Sequence, residues 1–255
     1  MNYNRYTSLA VIKEKPQMIK KTLIIGLTVI TLISCKSTEK KFENSSTVQV
    51  VGAMKNVMWK GELAGTINLD TIKDKKGLYG IGPVEYLTGE LLIIDGKSYV
   101  STVTTDTTMD VEETYQVKAP FLVYANQTNW NIEELPSNIK TIKELEKFID
   151  KKTLDFKRPF VFKLKGQVNN AEIHIQNLPK GTKVSSPEEA HQGQTNYFLK
   201  NSEVEIVGFF STEHKGIFTH HDSNVHMHLI TTDRKKMGHL DELEIGKIKL
   251  YLPKK

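Results

Sequence analysis

The sequence predicts a strand-rich α+β fold in which a mixed β-sheet domain packs on an antiparallel β-sheet domain. Three observations support this prediction. Short β-branched and alternating segments recur along the chain, only one segment has a clear helical period, and that helix separates an earlier from a later group of strands. We therefore expect a first domain at residues 47–150, closed by the helix, and a second domain at residues 151–255.

The first 34 residues are predicted to be a signal peptide and not part of the fold. Met18-Ile19-Lys20-Lys21 supplies a short positive region, and residues 23–33 form an apolar run that is too short to span a bilayer permanently. We take Met18 as the true start, so that residues 1–17 are a spurious extension.

Cys35 is the expected lipidation site. It closes the run Leu32-Ile33-Ser34-Cys35, which looks like a bacterial lipobox, and it is the only cysteine of the chain, so an internal disulfide is excluded. Residues 35–46 are polar and would tether the lipid to the fold. We expect an extracytoplasmic, membrane-anchored lipoprotein of a bacterial envelope; a secretory signal with an incidental cysteine is the alternative.

The basic charge of the chain belongs mostly to this leader. Residues 1–34 hold five basic residues and one acidic residue, which accounts for +4 of the formal net charge of +5. The mature chain is therefore nearly neutral, and the composition gives no support for a nucleic-acid partner. The sequence leaves the oligomeric state open, with a homodimer as one alternative.

Period-two patterns predict the strands in order along the chain. Asp95-Gly96 predicts a hairpin turn between two of them, and Asn169-Asn170 predicts another turn. The predicted strands are residues 47–51, 90–94, 97–103, 115–124, 159–168, 171–175, 204–210, 225–231 and 245–252.

The single clear helix is predicted at residues 142–151. Ile142, Leu145 and Ile149 form an apolar stripe at spacings of three and four. Thr141 and Glu144 fit a capping box at its start.

Histidines give the strongest functional signal, because six of the eight lie between His214 and His239. His226 and His228 alternate along a predicted strand and therefore point to one face. The polar segment before Gly238 suits a turn that returns His239 as a third ligand. Three neutral imidazoles with an open position suit catalytic zinc.

The same histidines also allow interpretations without a functional metal site. A His-x-His pair also occurs on a half-exposed sheet face, and histidine-rich stretches bind metal adventitiously. His214, His220 and His221 lie in the preceding loop, where we expect them to be exposed.

From about Val57 to Pro253 the chain resembles the α-acetolactate decarboxylase family. The segment Val225-His226-Met227-His228-Leu229, followed by Asp233-Arg234 and Gly238-His239, is similar to the family's Gly-Tyr-His-Leu-His-Phe, Asp-Arg and Gly-Gly-His pattern. The resemblance implies that His226, His228 and His239 hold a catalytic zinc.

A second stretch, residues 77–91, is similar to the family's Gly-Asp-Phe-Gly-Leu-Gly-Thr-Phe and Leu-Asp-Gly-Glu segments. The resemblance places the family's catalytic glutamate at Glu90. Without the resemblance, Glu90 would be read as an exposed residue at the start of a strand.

Three positions depart from the family pattern. The family's active-site threonine falls on Pro83, which has no hydroxyl. Its catalytic arginine falls on Gln176, in the segment Gln176-Asn177-Leu178-Pro179, and a glutamine cannot supply the charge that holds a carboxylate. The family's late acidic residue lies beyond Pro253 and has no counterpart in this sequence.

The resemblance implies a zinc-dependent, acetolactate decarboxylase-like lyase with reduced activity. Its substrate would be 2-acetolactate or a related small-molecule hydroxy-keto acid, converted to acetoin and carbon dioxide. A non-catalytic zinc-binding lipoprotein of the same fold is the main alternative. A different metal-assisted hydrolase or isomerase is a third reading.

Overall fold

A computed structural model describes residues 47–254, which are built mainly from antiparallel strands. The predicted signal peptide, Cys35 and the tether lie outside the described residues, so those assignments stay predictions. The strands are β1 (Gln49–Val51), β2 (Ile67–Asn68), β3 (Leu78–Pro83), β4 (Glu90–Ile94), β5 (Lys97–Thr105), β6 (Thr108–Glu113), β7 (Lys118–Ala119), β8 (Leu122–Asn126), β9 (Trp130–Glu134), β10 (Phe160–Ile175), β11 (Thr195–Phe210), β12 (Val225–Thr231) and β13 (Met237–Pro253). The helices are α1 (Met54–Lys60), α2 (Ile142–Lys152) and α3 (Pro187–Ala190), with 3₁₀ turns at Leu69–Thr71 and Glu85–Leu87.

The first large sheet has six strands in the order β1-β8-β3-β4-β5-β6. Asp95 and Gly96 both have positive φ, as a two-residue hairpin turn requires, which confirms the hairpin between β4 and β5. The strand-rich fold class is confirmed, but this sheet is antiparallel throughout and not mixed. The reason is that β3 to β6 follow one another through short reversing turns, which parallel neighbours cannot use.

The second large sheet has the order β10-β11-β12-β13-β9, and β10 also pairs with β13, so strands β10 to β13 close on themselves. The turn predicted at Asn169-Asn170 is wrong, because β10 continues through both residues. Asn170 pairs with Lys200 on one side and Glu244 on the other, and a register shift absorbs the irregularity. Both asparagine side chains donate to the Glu244 carboxylate, which stabilises them inside a sheet.

One apolar cluster joins the two large sheets. It takes Tyr79, Leu92 and Val123 from the first sheet and packs them against Phe209 and Met237 of the second. This shared core brings residues of β4 close to β12 and β13. Strand β9 precedes residue 150 in the chain, yet it pairs with β13 of the second sheet. The division into two domains at residue 150 stays a prediction.

Helix α2 confirms the helix prediction and extends one residue further. The Thr141 side chain accepts a hydrogen bond from the backbone N–H of Glu144, and the Glu144 carboxylate accepts one from the backbone N–H of Thr141. Leu145 and Ile149 are buried in the core beneath the second sheet.

The strand predicted at residues 115–124 is interrupted at Pro120, which has no N–H to donate to a ladder. Within residues 47–254, no helix combines the length and apolarity needed to cross a membrane.

Candidate metal centre

Three adjacent strands of the second sheet bring histidines side by side. His239 on β13 is the register partner of His228 on β12 and of His174 on β10. His226 lies two residues before His228 and therefore on the same face of β12. A Cβ at Gly238 would lie 2.5 Å from the carbonyl oxygen of His174, so the glycine permits the close approach of β13 and β10 beside the site.

The side chains of His226, His228 and His239 converge. Nε2 of His226 lies 3.2 Å from Nδ1 of His239, and one nitrogen of each histidine lies within 4.8 Å of the other two. Two nitrogens on one tetrahedral zinc, with bonds of roughly 2.0–2.1 Å, are about 3.3 Å apart. The spacing therefore fits a shared metal ion.

All three imidazoles are buried and neutral. Burial lowers the pKa of His226 and of His239 well below its usual value, and burial together with nearby His174 lowers the pKa of His228 to about 3. A neutral imidazole is the form that coordinates metal. Nε2 of His228 is buried and has no hydrogen-bond partner among the described residues, which again suits a coordinated cation.

Glu90 lies beside these histidines at the start of β4. Its Oε2 is 3.7 Å from Nε2 of His228, and the side chain is buried, in contrast to the exposed position that the residue's place on a strand end suggested. Its Oε1 accepts a hydrogen bond of 3.3 Å from the backbone N–H of Gln176. Burial raises the pKa of Glu90 well above its usual value, although that hydrogen bond acts in the opposite direction.

Gln176 follows the last residue of β10 and is also buried. Its amide nitrogen lies 3.4 Å from Nε2 of His174 and 3.5 Å from Oε1 of Gln194. Its amide oxygen has no partner among the described residues.

His174 and Asp241 are site residues that the sequence reasoning missed. Nδ1 of His174 lies 2.7 and 2.9 Å from the two carboxylate oxygens of Asp241, and the ring stacks on His239 with centroids 4.6 Å apart. Asp241 Oδ1 is also 3.8 Å from Nε2 of His239. The position of Asp241 two residues after His239 on a strand was the available signal, since it places both side chains on one face.

The expectation of exposed loop histidines is right for one residue and wrong for two. His221 is exposed, but His214 is half-buried, and its Nδ1 is hydrogen-bonded to Oγ of Ser211 at 2.7 Å. His220 is half-buried too, with its ring centroid 5.3 Å from that of His239, and burial lowers its pKa. The loop folds back over the sheet, which local sequence does not reveal.

A small pocket opens in front of the histidines. It includes Pro83, where the sequence resemblance would place the family's threonine, and none of the described residues that line it is lysine or arginine. The lining residues are Met54, Met58, Pro83, Leu87, Glu90, Phe121, His174, Gln176, His191, His220, His226 and His239.

Comparison with known proteins places this architecture in one family. The family model for alpha-acetolactate decarboxylase matches residues 50–254. The alpha-acetolactate decarboxylase of Brevibacillus brevis is 24% identical over 247 residues, covering 90% of this chain and 82% of that protein. The enzyme of Lactococcus lactis subsp. cremoris is 26% identical over 190 residues, covering 71% and 72%.

Solved structures agree at the level of the fold. A Staphylococcus aureus protein of unknown function, described as similar to alpha-acetolactate decarboxylase, superposes with a TM-score of 0.68 at 18% identity, covering 80% of this chain and 84% of that one. The alpha-acetolactate decarboxylase of Bacillus subtilis strain 168 gives 0.65 at 22% identity, with 82% and 86% covered. The family model spans nearly all of the described residues, and the chain therefore belongs to the alpha-acetolactate decarboxylase family.

Proposed function

We propose that this protein is a zinc-dependent lyase that converts 2-acetolactate, or a related hydroxy-keto acid, to a hydroxyketone and carbon dioxide. The observation that carries the proposal is the convergence of three neutral, buried imidazoles with the Glu90 carboxyl, 3.7 Å from Nε2 of His228. Burying ionisable side chains so close together costs free energy, and such clusters are typical of catalytic sites and of cation-binding sites.

His226, His228 and His239 would hold the metal. When bound, zinc would supply a Lewis acid that polarises a carbonyl oxygen and stabilises negative charge. Three protein nitrogens leave coordination positions open for substrate oxygens.

Glu90 is the proposed proton donor. Loss of carbon dioxide leaves an electron pair on carbon, which must take up a proton to give the hydroxyketone. Burial raises the pKa of Glu90, so that the carboxyl keeps its proton to a higher pH than usual, and a cation held by the histidines would lower that pKa again. A carboxyl that keeps its proton to a higher pH can serve as a proton donor.

The pocket walls would keep water from the reacting carbon. Leu87 and Phe121 are buried apolar residues that line the pocket beside Glu90. Low water content strengthens electrostatic interactions with the reacting group. Gln176, however, is uncharged, so a substrate carboxylate would be held less well than by an arginine, and we expect slow turnover.

The direct test is an assay of the zinc-loaded protein with acetolactate, with acetoin as the measured product. His228→Ala, which removes one proposed ligand, is the matched control and should lose both zinc and activity. If the zinc-loaded wild type forms no acetoin above the uncatalysed rate, the non-catalytic zinc-binding alternative replaces the lyase proposal. That alternative is supported by the sequence resemblance, which places Pro83 and Gln176 where the family has a threonine and an arginine.

A further inference from the structure

The two ring nitrogens of His239 face different groups. Nδ1 lies 3.2 Å from Nε2 of His226, whereas Nε2 lies 3.8 Å from Oδ1 of Asp241. Nδ1 is therefore the nitrogen that points toward the proposed ion. An imidazole that binds a metal ion through one nitrogen carries a proton on the other, and a carboxylate, a carbonyl or a water accepts a hydrogen bond from it. For His239, that acceptor must lie beside Nε2.

Peptide carbonyls lie beside the other two proposed ligands. The carbonyl of Phe218 faces the ring of His226, and that of Leu91 faces the ring of His228. Nδ1 of neither ring completes a hydrogen bond within the described residues. His239 differs from both, because the group beside its second nitrogen is a carboxylate, which carries a charge and accepts a stronger hydrogen bond than a neutral carbonyl.

Asp241 is the additional residue of a β-bulge. On β13, Leu240 pairs with Ile173 of β10. Glu242 pairs with the adjacent Glu172, so Asp241 has no partner of its own on β10 in this register. A bulge interrupts the ladder of hydrogen bonds and redirects a side chain, and bulges are common beside functional sites. The irregularity at Asp241 therefore suits a side chain that is aimed at the metal centre.

The Asp241 carboxylate lies between two imidazoles. Its Oδ2 is 2.7 Å from Nδ1 of His174, a hydrogen bond that holds the carboxylate in place. Its Oδ1 is 3.8 Å from Nε2 of His239. That distance is about 0.9 Å longer than a typical N–H···O hydrogen bond, so a small rotation of either side chain would complete the bond.

We propose that Asp241 is a positioning residue of the metal centre, which accepts a hydrogen bond from Nε2 of His239 and so keeps Nδ1 directed at the ion. Its negative charge also makes the His239 ring a stronger ligand for a cation. Outer partners of this kind contribute about 10- to 100-fold in metal affinity. The inference rests on the proposed zinc site and names a residue that sets the metal affinity of that site.

The zinc affinity of Asp241 variants tests this role. Dissociation constants for zinc are measured on the full chain by competition with a chromogenic chelator, and circular dichroism checks that each variant is folded. Asp241→Ala should weaken zinc binding about 10- to 100-fold, because His239 loses its acceptor. Asp241→Asn keeps an acceptor oxygen without the charge and should lose less affinity. Unchanged zinc affinity in both variants would overturn the inference.

Two matched variants separate this contact from other effects of losing a carboxylate. Asp222→Ala removes an exposed carboxylate that lines the same surface pocket as Asp241, so it measures the effect of lost charge alone and should leave zinc affinity near that of the wild type. His174→Phe removes the other partner of Asp241 but keeps a ring against His239, and it should lose much less affinity than Asp241→Ala. A loss in either variant as large as that in Asp241→Ala would contradict the proposed contact.

Cobalt substitution gives a readout that a general loss of stability would not reproduce. In the cobalt-loaded protein, the N–H proton of each coordinated imidazole gives its own strongly shifted, exchangeable NMR resonance. A proton that is hydrogen-bonded to Asp241 exchanges slowly with water. Asp241→Ala should therefore speed the exchange of one of these resonances and leave the others unchanged, and equal exchange rates in wild type and variant would count against the inference.

The outcomes also separate this inference from the proposed reaction. Wild-type protein that binds no zinc would overturn the inference together with the zinc site. Acetolactate turnover is measured separately. Its absence, together with the expected loss of zinc affinity in Asp241→Ala, would remove the lyase proposal and leave the role of Asp241 standing.

Discussion

At the scale of single residues, the site depends on which groups are kept neutral by burial. Burial lowers the pKa of His228 to about 3 and raises the pKa of Glu90 well above its usual value, so burial favours the uncharged form of both groups. A cation held by the histidines would change this balance, since it would favour the Glu90 carboxylate and occupy the imidazole nitrogens. Metal binding would therefore favour a charged Glu90, whereas the imidazoles would stay neutral.

Replacing Glu90 with glutamine tests its role as proton donor. The amide keeps an oxygen for the Gln176 backbone but has no proton of suitable acidity, so we expect acetolactate turnover to fall by about 10²- to 10⁴-fold. Zinc content should stay near that of the wild type. Unchanged turnover would mean that Glu90 has no part in proton transfer.

Gln176→Arg tests whether missing charge limits the reaction. A charge-assisted contact to the substrate carboxylate contributes roughly 1.5–3 kcal/mol, which corresponds to about a ten- to hundred-fold gain in kcat/KM. Steady-state kinetics with acetolactate measures the gain, with Gln176→Met as a control of similar length and no charge. A wild-type kcat of about 10 per second with no improvement in the arginine variant would contradict the proposed alignment of Gln176 with the family arginine.

The sequence predicted some of these residues and could not predict others. The His-x-His alternation made His226 and His228 visible, because the signal lies within one strand. Glu90 was identified only through the family resemblance, since its burial depends on packing between two sheets. His174 joins the site because β10 pairs with β13 in one particular register, and strand pairing is not encoded in a local pattern.

At the scale of elements, the paired strands β10, β12 and β13 carry the histidines of the site, and the loop before β12 and the start of β4 pack beside them. The helix and the Asp-Gly hairpin were predictable, because capping and turn residues act over a few positions. The continuation of β10 through Asn169-Asn170 was not, because partner strands on both sides and Glu244 override the local turn preference.

The capping box of α2 gives a prediction at this scale. Thr141→Ala removes the side-chain acceptor for the Glu144 backbone, so the free energy of unfolding should fall by about 1 kcal/mol. Urea denaturation followed by circular dichroism measures the change. Lys143→Ala, at an exposed position in the same helix, should change stability by less than about 0.5 kcal/mol. Equal effects of the two substitutions would show that the cap does not stabilise the helix.

At the scale of the whole molecule, we propose that the chain is anchored to a bacterial membrane through Cys35. The positive region, the apolar run and Leu32-Ile33-Ser34-Cys35 support this proposal. Cys35→Ser should move the protein from the membrane to the soluble fraction and abolish labelling with a radioactive fatty acid. Substitution of the adjacent Ser34 by Ala, a small residue at the same junction, should keep both properties. Membrane association of processed Cys35→Ser protein would require another anchor.

The buried histidines also link metal, pH and the stability of the whole fold. Burial lowers the folded-state pKa of His226, His228 and His239, whereas the unfolded chain should have values near 6.5. Below about pH 6.5 the unfolded state therefore binds more protons, and the metal-free protein loses stability as the pH falls. Each histidine contributes at most about 1.4 kcal/mol per pH unit until its own folded pKa is reached. Glu90 acts in the opposite direction, because burial raises its folded-state pKa. Its contribution to the free energy of unfolding is lost as the pH rises from about 4.5 through that folded-state pKa.

Burial also lowers the pKa of His191 and His220, so five histidines outweigh one carboxyl, and we expect the urea midpoint of metal-free protein to fall steadily from pH 7 to pH 5. His228→Asn should reduce that slope by removing one of these titrating groups, and His221→Asn, at an exposed position, should leave it unchanged. At pH 7, saturating zinc should raise the midpoint of the wild type, because a ligand that binds only the folded state stabilises it by mass action. A midpoint of metal-free protein that does not change between pH 7 and pH 5 would contradict the burial of three neutral imidazoles at the centre of this fold.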